Sequence, residues 1–158
     1  MKIVALLIAT LIPLAILYFI NTRNLYKTDS FGVIMVSFFW GVFAFGLASL
    51  LNRFLIANEI VSRINIIQFV APVEEEIFKA FIFILLFRKI NFTYFVDGAV
   101  YGFAIGIGFA IVENYEYISN LNAEAALTLA ISRVISTNLI HAAASSIVGM
   151  AFGRARFA

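Results

Sequence analysis

The chain has no cysteine, which excludes disulfides, a thiol nucleophile and thiolate metal sites. It is nearly as poor in charge: 13% of its 158 residues are Asp, Glu, Lys or Arg, where a soluble domain carries about a quarter. Proline occurs twice and histidine once. The net charge of +2 is small and the basic residues lie mainly between apolar runs, so a nucleic-acid partner is not implied. What fills the chain is apolar: 63% hydrophobic residues, eighteen phenylalanines and a mean hydropathy of +1.02. That composition belongs to an all-α, multi-pass protein of the cell membrane, with the lipid bilayer as its surroundings. No internal repeat or low-complexity tract divides it, and residues 1–158 read as a single membrane-embedded domain.

A bundle of about five spans is expected. Ile3 to Ile20 is the first, apolar apart from Thr10. Lys2 gives it the look of a signal peptide, but no small-residue cleavage site follows, and it reads as a retained span. A polar loop from Asn21 to Ser30 leads to the second span, Phe31 to Ile56, where Gly41, Ala44, Gly46 and Ala48 offer close-packing positions and Trp40 is a packing residue. Ala57 to Asn65 is a polar connection. The third span, Ile66 to Phe87, contains Pro72, which predicts a break, a regular helix from Pro72 onward and a kinked or re-entrant lead-in from Ile64 to Ala71. In the fourth span, Asp97 to Ile118, Asp97-Gly98 reads as a helix N-cap. Gly98, Gly102 and Gly106 recur at four-residue spacing there, a smooth face for the third or fifth helix. Ala123 to Phe152 is too long for one untilted span, and Arg133, Ser136, Thr137 and Asn138 mark a break between a short helix ending at Ile135 and a fifth span, Leu139 to Phe152.

Six cations (Arg23, Lys27, Arg88, Lys89, Arg154, Arg156) fall on one side of this arrangement and three (Lys2, Arg53, Arg63) on the other. The bias puts the N-terminus outside and the C-terminus inside. The start of the third helix, the end of the fourth and the start of the fifth then lie at one depth, in the outer half of the bilayer.

Those three places carry the charged residues that an apolar helix least tolerates. Pro72-Val73-Glu74-Glu75-Glu76-Ile77-Phe78-Lys79 sets three carboxylates and an ammonium within about two turns. Acids after a proline also suit an ordinary helix start. Charges inside hydrocarbon cost about 2.5–3.5 kcal/mol each on insertion scales and are kept where they pair or work. Glu76 and Glu75 lie three and four residues before Lys79, so all three share a face, and the ammonium makes the two carboxylates unequal in proton affinity. Unequal carboxylates suit general acid–base work on water. Glu113 and His141 add an acid and the only imidazole, with Ser145 one turn on from His141. Glu76, Glu113 and His141 together also fit a catalytic Zn2+ site with an open position for water. Arg133 is placed to neutralise an acid. Taken singly, a histidine or a Ser145-Ser146 pair amid alanines is as easily a packing feature.

Glu75-Glu76-x-x-Lys79, then Phe109-x-x-x-Glu113-Asn114, then His141 on a later helix, resembles the PrsW family of intramembrane proteases, within the group that holds the CAAX prenyl endopeptidases and bacteriocin-processing membrane proteins. Asp97-Gly98-x-x-Tyr101-Gly102 and Gly106-x-Gly108-Phe109 fit the same pattern, and the likeness covers Pro72 to Gly153, a PrsW-like catalytic core. In the CAAX enzymes a histidine stands at the position of Glu113, so PrsW is the nearer kin, and an asparagine stands at that of Ser145, which leaves Ser145 without a role carried over from the resemblance. The resemblance implies an intramembrane endopeptidase acting on membrane-anchored proteins, anti-sigma factors among them, with Glu75, Glu76, Lys79, Glu113 and His141 as catalytic residues. A zinc-bound and a metal-free glutamate mechanism use this same set. A non-catalytic membrane scaffold or a proton-coupled transporter would also place acids, Lys and His within helices.

Overall fold

A computed structural model describes residues 1–23, 31–87 and 94–157, and every long element in them is helical. Helices α1 (Lys2–Arg23) and α2 (Phe31–Ala57) open the chain. A single turn, α3 (Arg63–Asn65), runs through a π-helical stretch (Ile66–Val70) directly into α4 (Ala71–Phe87). Then come α5 (Phe95–Ser119), α6 (Ala123–Ile135) and α7 (Thr137–Phe157). The loop cations Lys27, Arg88 and Lys89, on which the expected orientation leans, lie outside the described residues.

Four helical stretches are long and apolar enough to cross a membrane: Lys2–Arg23, Phe31–Ala57, Val96–Ser119 and Ala123–Ala155. The last includes the turn at Ser136 that separates α6 from α7, where the break was expected. Helix α4 has 17 residues, but with its π-helical lead-in and α3 it forms one uninterrupted helical run over residues 63–87. Phe19, Phe39, Phe43, Phe54 and Phe69 are exposed on the outside of the bundle, as lipid-facing residues are.

The expected break at Pro72 is instead a widened turn. Pro72 has no N–H to give to the turn before it. The lead-in answers by closing wider rings, with the Ala71 N–H bonded to the carbonyl of Ile66. Helical hydrogen bonding therefore continues through the proline, from Arg63 to Phe87, without an interruption. Asp97 also sits differently: it is the third residue of α5, and its Oδ2 accepts the Tyr94 N–H at 2.8 Å from there. It satisfies a free donor of the helix start, which is the capping function, from inside the helix.

Helix α5 is the centre of the bundle, packed by α7 on one face and α2 on another, with α4 bridging α2 and α7. Tyr101, Ile105, Ile107 and Phe109 of α5 are wholly buried. Backbone meets backbone on both faces. A methyl group added at Gly102 would strike the Ser145 carbonyl, one at Gly106 the His141 carbonyl, and one at Gly149 the Gly98 carbonyl. That register steps antiparallel along α7 and names the fifth span as the glycine face's partner. On the other side Gly41 lies against the Ile105 carbonyl and Gly108 against that of Phe38. Ala44 and Ala48 are buried with Gly41, whereas Gly46 faces open space and does not join that packing. Helix α1 rests on α5 and α6 through Ala5, Ala9, Ala126 and Ala130, and its Thr10 hydroxyl hydrogen-bonds that of Tyr115.

Candidate active site

The first turns of α4 and α7 and the last turns of α5 come together at one end of the bundle, with α6 across them. Lys79 sits at the centre and is fully buried. Its Nζ donates to Glu76 Oε1 at 2.7 Å and meets His141 Nδ1 at 2.8 Å. It also lies 4.0 Å from the centre of the Phe109 ring, whose face attracts a cation. The same ring leans on the imidazole at 5.0 Å between centroids.

An ammonium has only hydrogens to offer, so His141 Nδ1 must accept. Its hydrogen is then on Nε2, which donates to Glu113 Oε2 at 3.1 Å. That oxygen also accepts from Arg133 Nη2 at 2.6 Å, while Arg133 Nε reaches Asn114 Oδ1 at 2.6 Å and the guanidinium covers the Tyr117 ring. Asn114 passes the order on, donating to Asn138 Oδ1 at 2.7 Å. Two ion pairs, Glu76–Lys79 and Glu113–Arg133, thus flank one imidazole.

Of the anticipated residues, Glu76, Lys79, Glu113 and His141 join one hydrogen-bonded chain. Glu75 is half-buried within electrostatic reach of Glu113, Lys79 and His141 but bonded to none of them. Glu74 is buried beside Asn52 of α2 and makes no hydrogen bond to this cluster. Ser145 is buried, and its hydroxyl reaches Glu76 Oε2 at 3.4 Å, a long hydrogen bond. Arg133 takes the neutralising place expected of it. Asn138 was read only as part of a helix break. Its place three residues before His141, on the same helix face, is the signal that it belongs to the network. The Glu76 side chain keeps 31% of its surface exposed against 14% for Glu113 and 13% for His141, so of the two carboxylates in the hydrogen-bonded chain Glu76 is the more open.

Imidazole with two carboxylates is a donor set that zinc accepts. Here, however, both imidazole nitrogens are engaged and neither offers a lone pair, and among the described residues no group of three His, Cys, Asp or Glu is set to hold an ion. The set as arranged does not fit a metal.

The sequence model of a family described as "PrsW family intramembrane metalloprotease" matches residues 29–158. A protein named Protease PrsW from Halalkalibacterium halodurans is 30% identical over 159 aligned positions, covering 96% of this chain and 70% of that protein. Another of the same name, from Geobacillus kaustophilus, is 29% identical, covering 91% of this chain and 63% of that protein. No solved structure matches the chain.

Proposed function

Because the chain belongs to the PrsW family of intramembrane proteases, we propose that it hydrolyses a peptide bond of a membrane-anchored protein, with Glu76 as the base that activates water. The observation that carries this reading is the hydrogen-bonded chain Glu76–Lys79–His141–Glu113, which joins residues 62 and 28 positions apart in sequence from three helices. Packing alone gives no reason to gather four polar side chains in an apolar bundle.

Each residue has a distinct task. Glu76, with one oxygen fixed by Lys79 and an exposed edge, takes a proton from a water molecule. The hydroxide attacks the carbonyl carbon of the substrate, the C–N bond breaks, and Glu76 returns the proton to the departing amine. Glu113, anchored by Arg133, orients the imidazole as a carboxylate orients a catalytic histidine. Glu75 adds negative charge beside the site and is the reserve candidate for the base. The zinc-assisted version requires Glu76, Glu113 and His141 to turn lone pairs toward a common point, and no step here depends on it.

The loop charges place this end of the bundle toward the outer face, with the C-terminus in the cytoplasm. By the family resemblance the substrates are single-span proteins such as anti-sigma factors. The deciding experiment presents purified protein with a set of single-span substrates and compares wild type with Glu76→Gln. Cleavage should fall by about 10²–10⁴-fold, the usual worth of a positioned base. A chain that cleaves nothing, or a Glu76→Gln variant that cleaves normally, sinks the reading.

A further inference from the structure

We infer that Lys79 is the resident cation of this centre: its ammonium fills the position from which a metal ion would bridge Glu76 and His141, and the site works without one. The inference rests on the hydrolytic reading above but is tested apart from it.

Geometry is the first support. Glu76 Oε1 and His141 Nδ1 are 3.9 Å apart. Zinc binds such atoms at about 2.0–2.2 Å, so an ion held by both would lie close to the line between them. Lys79 Nζ sits 2.7 and 2.8 Å from the same two atoms. An ion on that line would come within about 2 Å of the ammonium nitrogen, far inside contact distance for two cations. One cation excludes the other.

The second support is lone-pair bookkeeping. With Nδ1 accepting from the ammonium, Nε2 carries the ring hydrogen and spends it on Glu113 Oε2, which already holds Arg133. A metal on either nitrogen would have to displace a hydrogen-bonded cation or remove the proton that fixes Glu113. The third is that Lys79 cannot easily step aside. It has no exposed surface, and carboxylate, imidazole and the Phe109 face hold the ammonium. The family's description as metalloproteases therefore does not match the donor arrangement among the described residues of this chain.

The test is zinc binding by the full-length protein in detergent, read by elemental analysis and by competition with a zinc-sensitive dye, beside cleavage assays. Wild type should retain less than about 0.1 equivalents after dialysis against free Zn2+, and chelators should leave cleavage unchanged. Lys79→Ala should free His141 Nδ1 and one Glu76 oxygen together, and bind Zn2+ at least tenfold more tightly than wild type. Lys79→Met, which keeps most of the side-chain volume, serves if the alanine variant does not fold. Wild type holding close to one equivalent, or losing cleavage to a chelator and regaining it with Zn2+, overturns the inference. So does a folded Lys79→Ala protein that takes up no more zinc than wild type. A Glu76→Gln variant that still cleaves would remove the hydrolytic reading while leaving the metal result to stand by itself.

Discussion

Helix α7 presents two seams that are built in opposite ways. Toward α5 its closest approach is backbone on backbone: the carbonyls of His141 and Ser145 press on Gly106 and Gly102, and Gly149 presses on the carbonyl of Gly98, with side-chain bonds only added around that contact. Toward α4 it is all side chain: His141 and Ser145 reach out to Lys79 and Glu76. The same two residues serve both seams. In hydrocarbon there is little hydrophobic force between helices, so close backbone contact and hydrogen bonds must supply the cohesion. The glycine seam fixes how deep and at what rotation α7 lies on α5, and thereby fixes where the imidazole meets Glu113. The charged seam then needs only to close a network whose geometry is already set, while Glu76 keeps an exposed edge for water and substrate.

The largest change should come from removing Arg133 of α6, which holds the α5 carboxylate to which the charged seam's imidazole is bonded. Its side chain and that of Glu113 are 13% and 14% exposed, so solvent screens the pair poorly. Arg133→Gln would leave Glu113 buried and uncompensated, which typically costs about 3–5 kcal/mol, and it would also release Asn114. Unfolding in detergent should show a loss of that order together with loss of cleavage. The double variant Arg133→Gln, Glu113→Gln should recover much of the stability and none of the activity. If the single variant is as stable as wild type, the pair is not closed in solution.

Overpacking the glycine seam comes next. Gly102→Leu forces a side chain against the Ser145 backbone and should destabilise by about 1–3 kcal/mol. Because it moves α7, it should also depress cleavage although it touches no polar group of the site. Gly46→Leu is the matched control, since nothing lies within 4 Å of that position and stability should stay within about 0.5 kcal/mol of wild type. Equal losses at the two positions would mean that the seam is not where the rigidity lies.

The residues that build both seams were legible in the sequence, but the details around them were not. Charged residues stand out against apolar runs, so Glu76, Lys79, Glu113 and His141 could be picked out and their common depth inferred from span order alone. The glycine face of α5 was equally plain, because four-residue spacing falls on one side of a helix. Gly46 was misplaced for a reason the sequence did contain: it lies about 140° around the helix from Gly41, whereas Ala44 and Ala48 stay near Gly41's face. Pro72 marks a disturbance, but whether the chain kinks or widens its turns depends on which donors reach the carbonyls before it, and that is decided by backbone geometry. Asp97 was read as the N-cap but stands three positions further in, as the third residue of the helix, since a carboxylate can serve the helix start from either place. The buried pair Asn114–Asn138 needed tertiary contact to be seen, because an asparagine near a helix end suggests a terminus first.

The smallest effect belongs to an ion pair that joins α2 to α5 at the rim, Arg53 with Glu116 at 3.3 Å. It has the same chemistry as Arg133–Glu113, but its side chains are 71% and 45% exposed. In that setting water competes for both charges, two long side chains must be ordered to meet, and salt screens what attraction is left. Arg53→Ala should therefore shift stability by no more than about 0.5 kcal/mol and leave cleavage unchanged, and raising the salt concentration should erase even that difference. The comparison with Arg133→Gln is direct, since each variant removes one guanidinium facing one glutamate of the same helix. A loss at Arg53 as large as at Arg133 would show that burial is not what gives the inner pair its weight, and that the charged seam owes its strength to the number of its charges and not to their place among the helices.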